Sequence, residues 1–445
     1  MTARMDRIDQ MDQLAQPAPA PRTRPLRILM FMGYYLPYIS GMTIYAQRLA
    51  EGLVQRGHAV TILCAHHQPH TPLEEWINGV RVVRSRVLFR FRKGAVMPLF
   101  WHDLRRLLAQ HDIFHRHLPG LMDAYISTRI AKSMGKPVLI THHCDIFLPF
   151  GLLNDAIEAA MHTEMRYAGR LADKIITYSE DYAAYSRFLS LYRHKVEAVY
   201  PPIMIGQPDD ERARAWRARL GLEGKKIIGF AGRFAADKGG DVLLRALPLL
   251  RREVPNAHLV FAGEYQHVMG ETFYEECRPL IEQQREHVTF LGNVPIAEMP
   301  HFYRMCDVVS VPSTNSTESW GMWQSESMLC GTPVVTTDLP GVRESVRITG
   351  MGELVRPHDE VGLARALAKV ILERERYLHP KRDPHEVFRP ERTIDAYERW
   401  YAELAGFPFE PRQGMAQPLP DGRAKAAASA IAPPAPPTQR DRSSV

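Results

Sequence analysis

Two cations and two carboxylates, each pair set beside glycine, are the residues of this sequence best placed to do chemistry together. In Ala231-Gly-Arg-Phe-Ala-Ala-Asp-Lys-Gly-Gly240 an apolar run ends, Arg233 and Lys238 follow, and glycines lead into the apolar stretch 242–250. Both cations fall at the carboxyl end of an expected strand. Such a pair stabilises the charge that builds up on a departing diphosphate. Arginine binds it in bidentate fashion and lysine as a point charge. Further on, Glu318 and Glu326 have seven residues between them, and Gly321 falls where a helix starts before Trp323 to Cys330. A helix N-terminus after a glycine presents free N–H groups and a positive dipole end, which suit phosphate. Carboxylates accept hydrogen bonds from hydroxyls. Glu318 in the loop and Glu326 two turns into the helix can therefore grip different parts of one anionic, hydroxyl-rich ligand. Taken alone, each feature also fits an ordinary basic loop and a capped surface helix.

The elements that must position these residues repeat one pattern. Leu26 to Met32 is a compact apolar run bounded by Gly33 and Pro37, a loop follows to Gly41, Thr43 to Gln55 has helical periodicity, and 59–64 is apolar again. Strand, loop, helix and strand make a βαβ unit and point to a doubly wound parallel sheet. Further strands are expected at 112–117, 137–141, 173–178 and 196–200. Pro201-Pro202 then opens a linker near 201–224. A second series follows at 226–231, 258–262, 288–291, 307–311 and 333–336, and residues 392–404 form an amphipathic helix with Tyr397, Trp400 and Tyr401. Open α/β sheets place their ligand crevices at the carboxyl ends of their strands. Two such sheets that face each other would share one cleft.

Composition narrows the class. The 445 residues carry a net charge of +6, which favours anionic partners without choosing among them. No RNP-like or zinc-finger-like pattern is present, so no nucleic acid is expected. The five cysteines are scattered and form no C-x-x-C, which argues against a disulfide framework or zinc site and for a reducing compartment. There is no run of 18 or more apolar residues and no apolar leader segment at the start of the sequence. Residues 1–24 and 410–445 read as a disordered lead-in and tail. His66, His67 and His70 read as a solvated loop rather than a metal site.

The block 318–337, ESWGMWQSESMLCGTPVVTT, resembles the E-x7-E signature of the family 4 retaining glycosyltransferases. Gly232-Arg233 through Lys238-Gly239 is similar to that family's G-R-x(n)-K-G element, Phe290-Leu-Gly-Asn-Val294 to its F-L-G element, and Asp338 to Glu344 to its downstream loop. The resemblance spans about residues 26–405 and is strongest over 226–344. It implies a GT-B fold: two facing Rossmann-like, doubly wound parallel-sheet α/β domains with an interdomain cleft. The domains would be 25–200 and 201–384, with a helix at about 385–408 returning to the first.

The resemblance also implies roles. Arg233 and Lys238 match the pair that contacts the donor diphosphate. Glu318 matches the glutamate near the donor sugar, and Glu326 the one that holds the ribose hydroxyls. Gly321, Met322 and Trp323 match the turn whose backbone approaches sugar and phosphate, and Asn293 and Val294 lie where the base packs. In the first domain, Pro137 to Asp145 is similar to the family's V-V-x-T-x-H-x-D strand end. That puts His143 beside the donor sugar, with His142 exchanging places if the alignment slips by one residue. Tyr34 to Gly41 matches the first glycine-rich loop, with Ser40-Gly41 where the family often has two glycines. His115 and His117 read as structural.

The implied activity is sugar transfer, with retained configuration, from a UDP- or GDP-sugar onto a saccharide or lipid-linked acceptor. The sequence holds no D-x-D pair, so no metal and no cofactor is expected beyond the nucleotide sugar. Over 81–106, Arg84, Arg86, Arg90, Arg92, Lys93 and Arg105 interleave with Val87, Leu88, Phe89, Phe91, Phe100 and Trp101. That mixture suits an anionic membrane surface, and equally a basic loop with its aromatics packed inward. A cytoplasmic enzyme, peripheral at the inner membrane face, is the expectation. Two alternatives stay open at this stage: an epimerase or hydrolase of nucleotide sugars on the same fold, and a non-catalytic sugar-binding relative.

Overall fold

The computed structural model describes residues 25–91, 94–120, 123–148, 151–266, 268 and 272–408. The readings for 1–24 and 410–445 lie outside these residues.

In chain order the first half contains β1 (Arg27–Phe31), α1 (Gly41–Gln55), β2 (Ala59–Ala65), β3 (Glu74–Ile77), β4 (Val80–Ser85), β5 (Phe89–Phe91), β6 (Gly94–Val96), α2 (Phe100–Leu108), β7 (Ile113–Leu118), β8 (Val138–His142), β9 (Lys174–Thr177), α3 (Glu180–Tyr185) and β10 (Val196–Ala198), among others. Eight of its strands form one sheet in the order β10-β9-β8-β7-β1-β2-β4-β3. Pairing is parallel except for the β3–β4 hairpin. That hairpin turns at Asn78-Gly79, both with positive φ, the dipeptide that favours a tight two-residue turn. β5 and β6 form a small separate ribbon.

The second half begins with α4 (Asp210–Arg219), then β11 (Lys226–Ala231), α5 (Gly240–Glu253), β12 (Ala257–Ala262), β13 (Val288–Gly292), β14 (Val308–Ser310), α6 (Met322–Leu329), β15 (Val334–Thr337) and β16 (Gly352–Val355), and the chain closes on α7 (Pro390–Ala405). Its six strands are all parallel, in the order β13-β12-β11-β14-β15-β16. α4 corrects the expected linker over 201–224: Asp209 caps it by accepting from the N–H groups of Glu211 and Arg212, and it packs on residues 299–305. Its strongly charged sequence hid the helix, because an apolar stripe is the main signal read from sequence.

These parallel strands are buried on both faces, so they read as near-continuous apolar runs. In each sheet the strand order reverses once, at β1/β7 in the first and at β11/β14 in the second. Ligands of doubly wound sheets bind at this reversal, where neighbouring loops leave in opposite directions. α7 packs against α1 and β7, burying Tyr397, Trp400 and Tyr401. Gly52 in α1 permits that approach, since a Cβ there would lie 2.3 Å from Ile394 Cδ1. No helix among the described residues is long and apolar enough to cross a membrane.

Region 81–106 divides. Arg84 is buried inside the sheet, paired with Glu75 at 2.5 Å and donating to the carbonyls of Pro72 and Leu36, so it belongs to no membrane face. Phe100 likewise stacks on Phe31. Arg92 and Lys93, and the side chains of Arg90 and Phe91, lie outside the described residues. Leu88, Phe89, Leu99 and Trp101 are 70, 54, 56 and 37% exposed, and Arg86, Arg105 and Arg106 are exposed too.

Candidate active site

The loops that leave the two reversals meet. On the second sheet, the loop after β11 carries Arg233 and Lys238. The Lys238 ammonium lies 2.9 Å from Glu318 and 3.0 Å from Asp237. Burial works against its charge, but these two carboxylates outweigh burial and hold it above the ordinary lysine range. Gly239 makes the turn: its φ is 68°, and a Cβ there would stand 2.1 Å from the Pro312 carbonyl oxygen, so no other residue fits. Arg233 is half-buried, and among the described residues no hydrogen bond or ion pair holds its guanidinium.

The loop after β14 brings Glu318 and the start of α6. Glu318 accepts from the Gly321 N–H at 3.0 Å, so one carboxylate binds both Lys238 and the helix N-terminus. Gly321 caps α6 in the left-handed conformation. The buried Trp323 indole N–H has no hydrogen-bond acceptor among the described residues. Glu326 is bound on both oxygens, by Arg48 at 2.7 Å and by Tyr303 at 2.9 Å. After β13, Asn293 is exposed and Val294 packs at the edge of the core.

The first half closes over these groups. Ser40 and Thr43 form a capping box at the start of α1. A Cβ on the next residue, Gly41, would lie 3.7 Å from Met322 Cε, so the first loop rests on the N-terminus of α6. Ser319 Oγ donates to the His143 carbonyl, and Tyr182 OH donates to the Ser316 carbonyl. Asp181 at the start of α3 takes Arg343 in a fork and also the Gly341 N–H at 2.8 Å. Burial opposes ionisation of Asp181, but these donors outweigh it and depress its carboxyl.

Strand alternation separates the two histidines at the end of β8. His142 turns to the face of Phe188 and pairs with Asp145 at 3.0 Å. His143 turns to the face of α1, edge-on to Tyr45. Its Nδ1 is engaged by the Tyr178 hydroxyl and its Nε2 by His117 at 2.8 Å. Burial, with His117 and His142 nearby, pushes the imidazole well below the usual histidine range. The chain of polar groups continues behind it: Tyr401 to His115 at 2.7 Å, His115 to Thr141 at 2.7 Å, Thr141 to Tyr397 at 2.5 Å and Tyr397 to Tyr45 at 2.8 Å. His115 and His117 are fully buried within this network. His67, expected in a solvated loop, is buried edge-on to Tyr34 and Tyr38. Among the described residues no group of three or more His, Cys, Asp or Glu is arranged to hold a metal ion.

The sequence reading missed Arg48, Tyr303, Tyr178 and Asp181. For Arg48 a signal existed: it stands on the buried face of α1 among Tyr45, Leu49 and Gly52, where a charge demands a partner. The others are ordinary residues whose partners lie far along the chain.

Residues 39–206 match the family described as Glycosyltransferase Family 4, and residues 213–383 match glycosyl transferases group 1. The chain is a family 4 glycosyltransferase. The D-inositol 3-phosphate glycosyltransferase of Mycolicibacterium gilvum is 32% identical over 365 residues, covering 74% of this chain and 77% of that protein. The GDP-mannose-dependent alpha-(1-6)-phosphatidylinositol monomannoside mannosyltransferase of Mycolicibacterium smegmatis is 25% identical over 359 residues, covering 77% of this chain and 89% of that protein. Among solved structures, Anabaena HepE in complex with UDP and glucose superposes with a TM-score of 0.68 at 19% identity, covering 85% of this chain and all of the other. Sucrose-phosphate synthase from Thermosynechococcus elongatus gives 0.66 at 19% identity, over 86% of this chain and 99% of its own. The fold of this glycosyltransferase is GT-B.

Proposed function

We propose that this glycosyltransferase moves a sugar from a UDP- or GDP-sugar onto a saccharide or lipid-linked acceptor with retention of configuration, in the cytoplasm and without a metal ion. The observation that carries this reading is that Glu318 ties Lys238 to the Gly321 helix start, with Arg233 on the same loop as Lys238 and Glu326 farther along the same helix. The cations and the helix N-terminus bind the diphosphate and offset the charge that develops as it leaves, which is the work a divalent metal does elsewhere. Glu326 takes the ribose hydroxyls, Asn293 and Val294 flank the base, and Gly41 closes over the phosphates. Glu318 stands beside the sugar. His143 has both ring nitrogens engaged and is neutral, so it offers the sugar a wall rather than a base. That suits front-face attack. The bond from the anomeric carbon to the phosphate oxygen breaks, the acceptor oxygen bonds to that carbon on the same face, and the departing phosphate oxygen takes the acceptor proton.

The names of the two mycobacterial relatives, one acting on inositol 3-phosphate and one on a phosphatidylinositol mannoside, support an acceptor of polyol or lipid-linked type. The test is thermal stabilisation by UDP, GDP, ADP and their sugars, with and without Mg²⁺, since a ligand of the folded state raises the melting temperature by mass action. One nucleotide should raise it equally with and without metal, and Arg233→Ala should abolish the shift. A shift that needs Mg²⁺ would remove metal independence. A donor sugar consumed without acceptor would favour the hydrolase or epimerase reading.

The exposed Leu88, Phe89, Leu99 and Trp101, with Arg86, Arg105 and Arg106, form the face that meets an anionic membrane carrying the acceptor. Vesicles containing phosphatidylserine should carry the protein in flotation at low salt, and Leu88→Glu with Phe89→Glu should release it. Equal recovery of both proteins with the vesicles would sink this membrane face.

A further inference from the structure

Arg48 lies on α1, in the half of the molecule opposite the donor wall, yet its guanidinium ends on that wall. Nη2 lies 2.7 Å from Glu326 Oε1 and 2.7 Å from the Met204 carbonyl, and Nη1 lies 3.3 Å from the Pro202 carbonyl. The Arg48 and Glu326 side chains are only 10 and 14% exposed. One side chain thus joins three parts: the first half, the Pro202–Met204 crossing between the halves, and the second glutamate of the E-x7-E element.

A carboxylate offers about four lone-pair sites on its two oxygens. Arg48 occupies one on Oε1, and Tyr303 occupies one on Oε2. What remains is one acceptor site on each oxygen, in a plane set by the other two bonds. A pair of neighbouring ribose hydroxyls needs that arrangement. Without Arg48 the carboxylate could rotate about its last torsion, which is broad and soft. It would also lose the charge-assisted bond that fixes Oε1. A purely stabilising role for the pair is a weak account of its presence, because a buried ion pair commonly contributes little to stability against an apolar replacement.

We infer that Arg48 is a positioning residue of the donor site: it orients Glu326 toward the ribose hydroxyls and does so only while the two halves are closed, so that ribose recognition reports closure. This rests on the donor-site reading above. The readout is the ratio of affinities for a ribonucleoside diphosphate and its 2′-deoxy form, measured by calorimetry on the whole chain with UDP or GDP, whichever binds. The unaltered protein should prefer the ribo form by roughly tenfold or more, the worth of a hydrogen bond to a charged group. Arg48→Gln should weaken the ribo form and leave the 2′-deoxy form nearly unchanged, bringing the ratio close to one. Arg48→Lys keeps the charge but lacks the fork that serves Glu326 and the carbonyls together. It should give an intermediate ratio, and it decides the matter if the glutamine variant does not fold. An unchanged ratio, or equal weakening of both nucleotides, in a folded variant overturns the inference. If the unaltered protein binds no nucleoside diphosphate, the donor site itself falls, and this inference with it.

Discussion

Replacing Lys238 with alanine is expected to lower kcat by roughly 10²–10³-fold, the usual effect of removing one group aimed at developing charge. The ammonium is held between Glu318 and Asp237 at 2.9 and 3.0 Å, so in the resting protein it already balances two carboxylates. Its removal therefore acts twice. The departing diphosphate would lose a cation, and Glu318 and Asp237 would lose the ammonium that balances them beside the place proposed for that diphosphate. Affinity for the nucleoside diphosphate should fall together with kcat. Steady-state kinetics with the donor named by thermal stabilisation, and calorimetry with its diphosphate, check both. A kcat within about threefold of the unaltered enzyme, less than 1 kcal/mol of barrier, would remove Lys238 from the chemistry.

Acid should unfold this protein well before its carboxylates titrate. Burial pushes His115, His117 and His143 well below the usual histidine range, and His258 down to about 4. A histidine held neutral in the folded state but free to protonate at about pH 6.5 when unfolded gives stability that is fully present above that pH and declines below it. Each such group contributes a slope of about 1.4 kcal/mol per pH unit. Glu164 works the other way: burial and the nearby Asp123 raise it to about 7, so it gains stability as the pH falls from there and cancels one histidine. Counting only the three network histidines, two protons remain, or about 3 kcal/mol per pH unit below about 6.5. Asp145, Asp181 and Glu398 are depressed carboxylates, whose contribution is lost only below about pH 4. Urea unfolding at pH 7.5, 6.5 and 5.5 should therefore show a steep fall over the last interval, and His115→Gln should flatten it. A midpoint independent of pH over that range would rule out the neutral network.

The strands of both halves were legible in the sequence and the ties between the halves were not, for a physical reason. Parallel strands buried on both faces are continuous apolar runs, so β1, β2, β11 and β12 stand out within a residue or so. The residues proposed to bind the diphosphate stand on loops leaving such strands, and Arg233, Lys238, Glu318 and Gly321 could be placed from local order alone. The ties between the halves could not. Arg48 and Glu326 lie 278 residues apart, and Asp181 and Arg343 lie 162 apart. Neither member of such a pair carries any mark of the other. The basic stretch 81–106 misled for a related reason: Arg84 looks like its exposed neighbours until the sheet shows that Glu75 and two carbonyls surround it. The charged helix α4 had no stripe to show.

The return of α7 has a consequence for how this enzyme can be recombined. The chain crosses between the halves twice, and Thr393 Oγ1 donates to the Tyr200 carbonyl at 2.7 Å, so the two crossings lie side by side. A first half expressed alone and ending at Tyr200 would lack Ile394, Tyr397, Glu398 and Tyr401, leaving the seat on Gly52, Tyr45, His58 and His115 bare. The first half is therefore a discontinuous unit, and a chimera that exchanges second halves between relatives needs two seams, one near Tyr200 and one near Pro390, with α7 inherited from the parent that supplies α1.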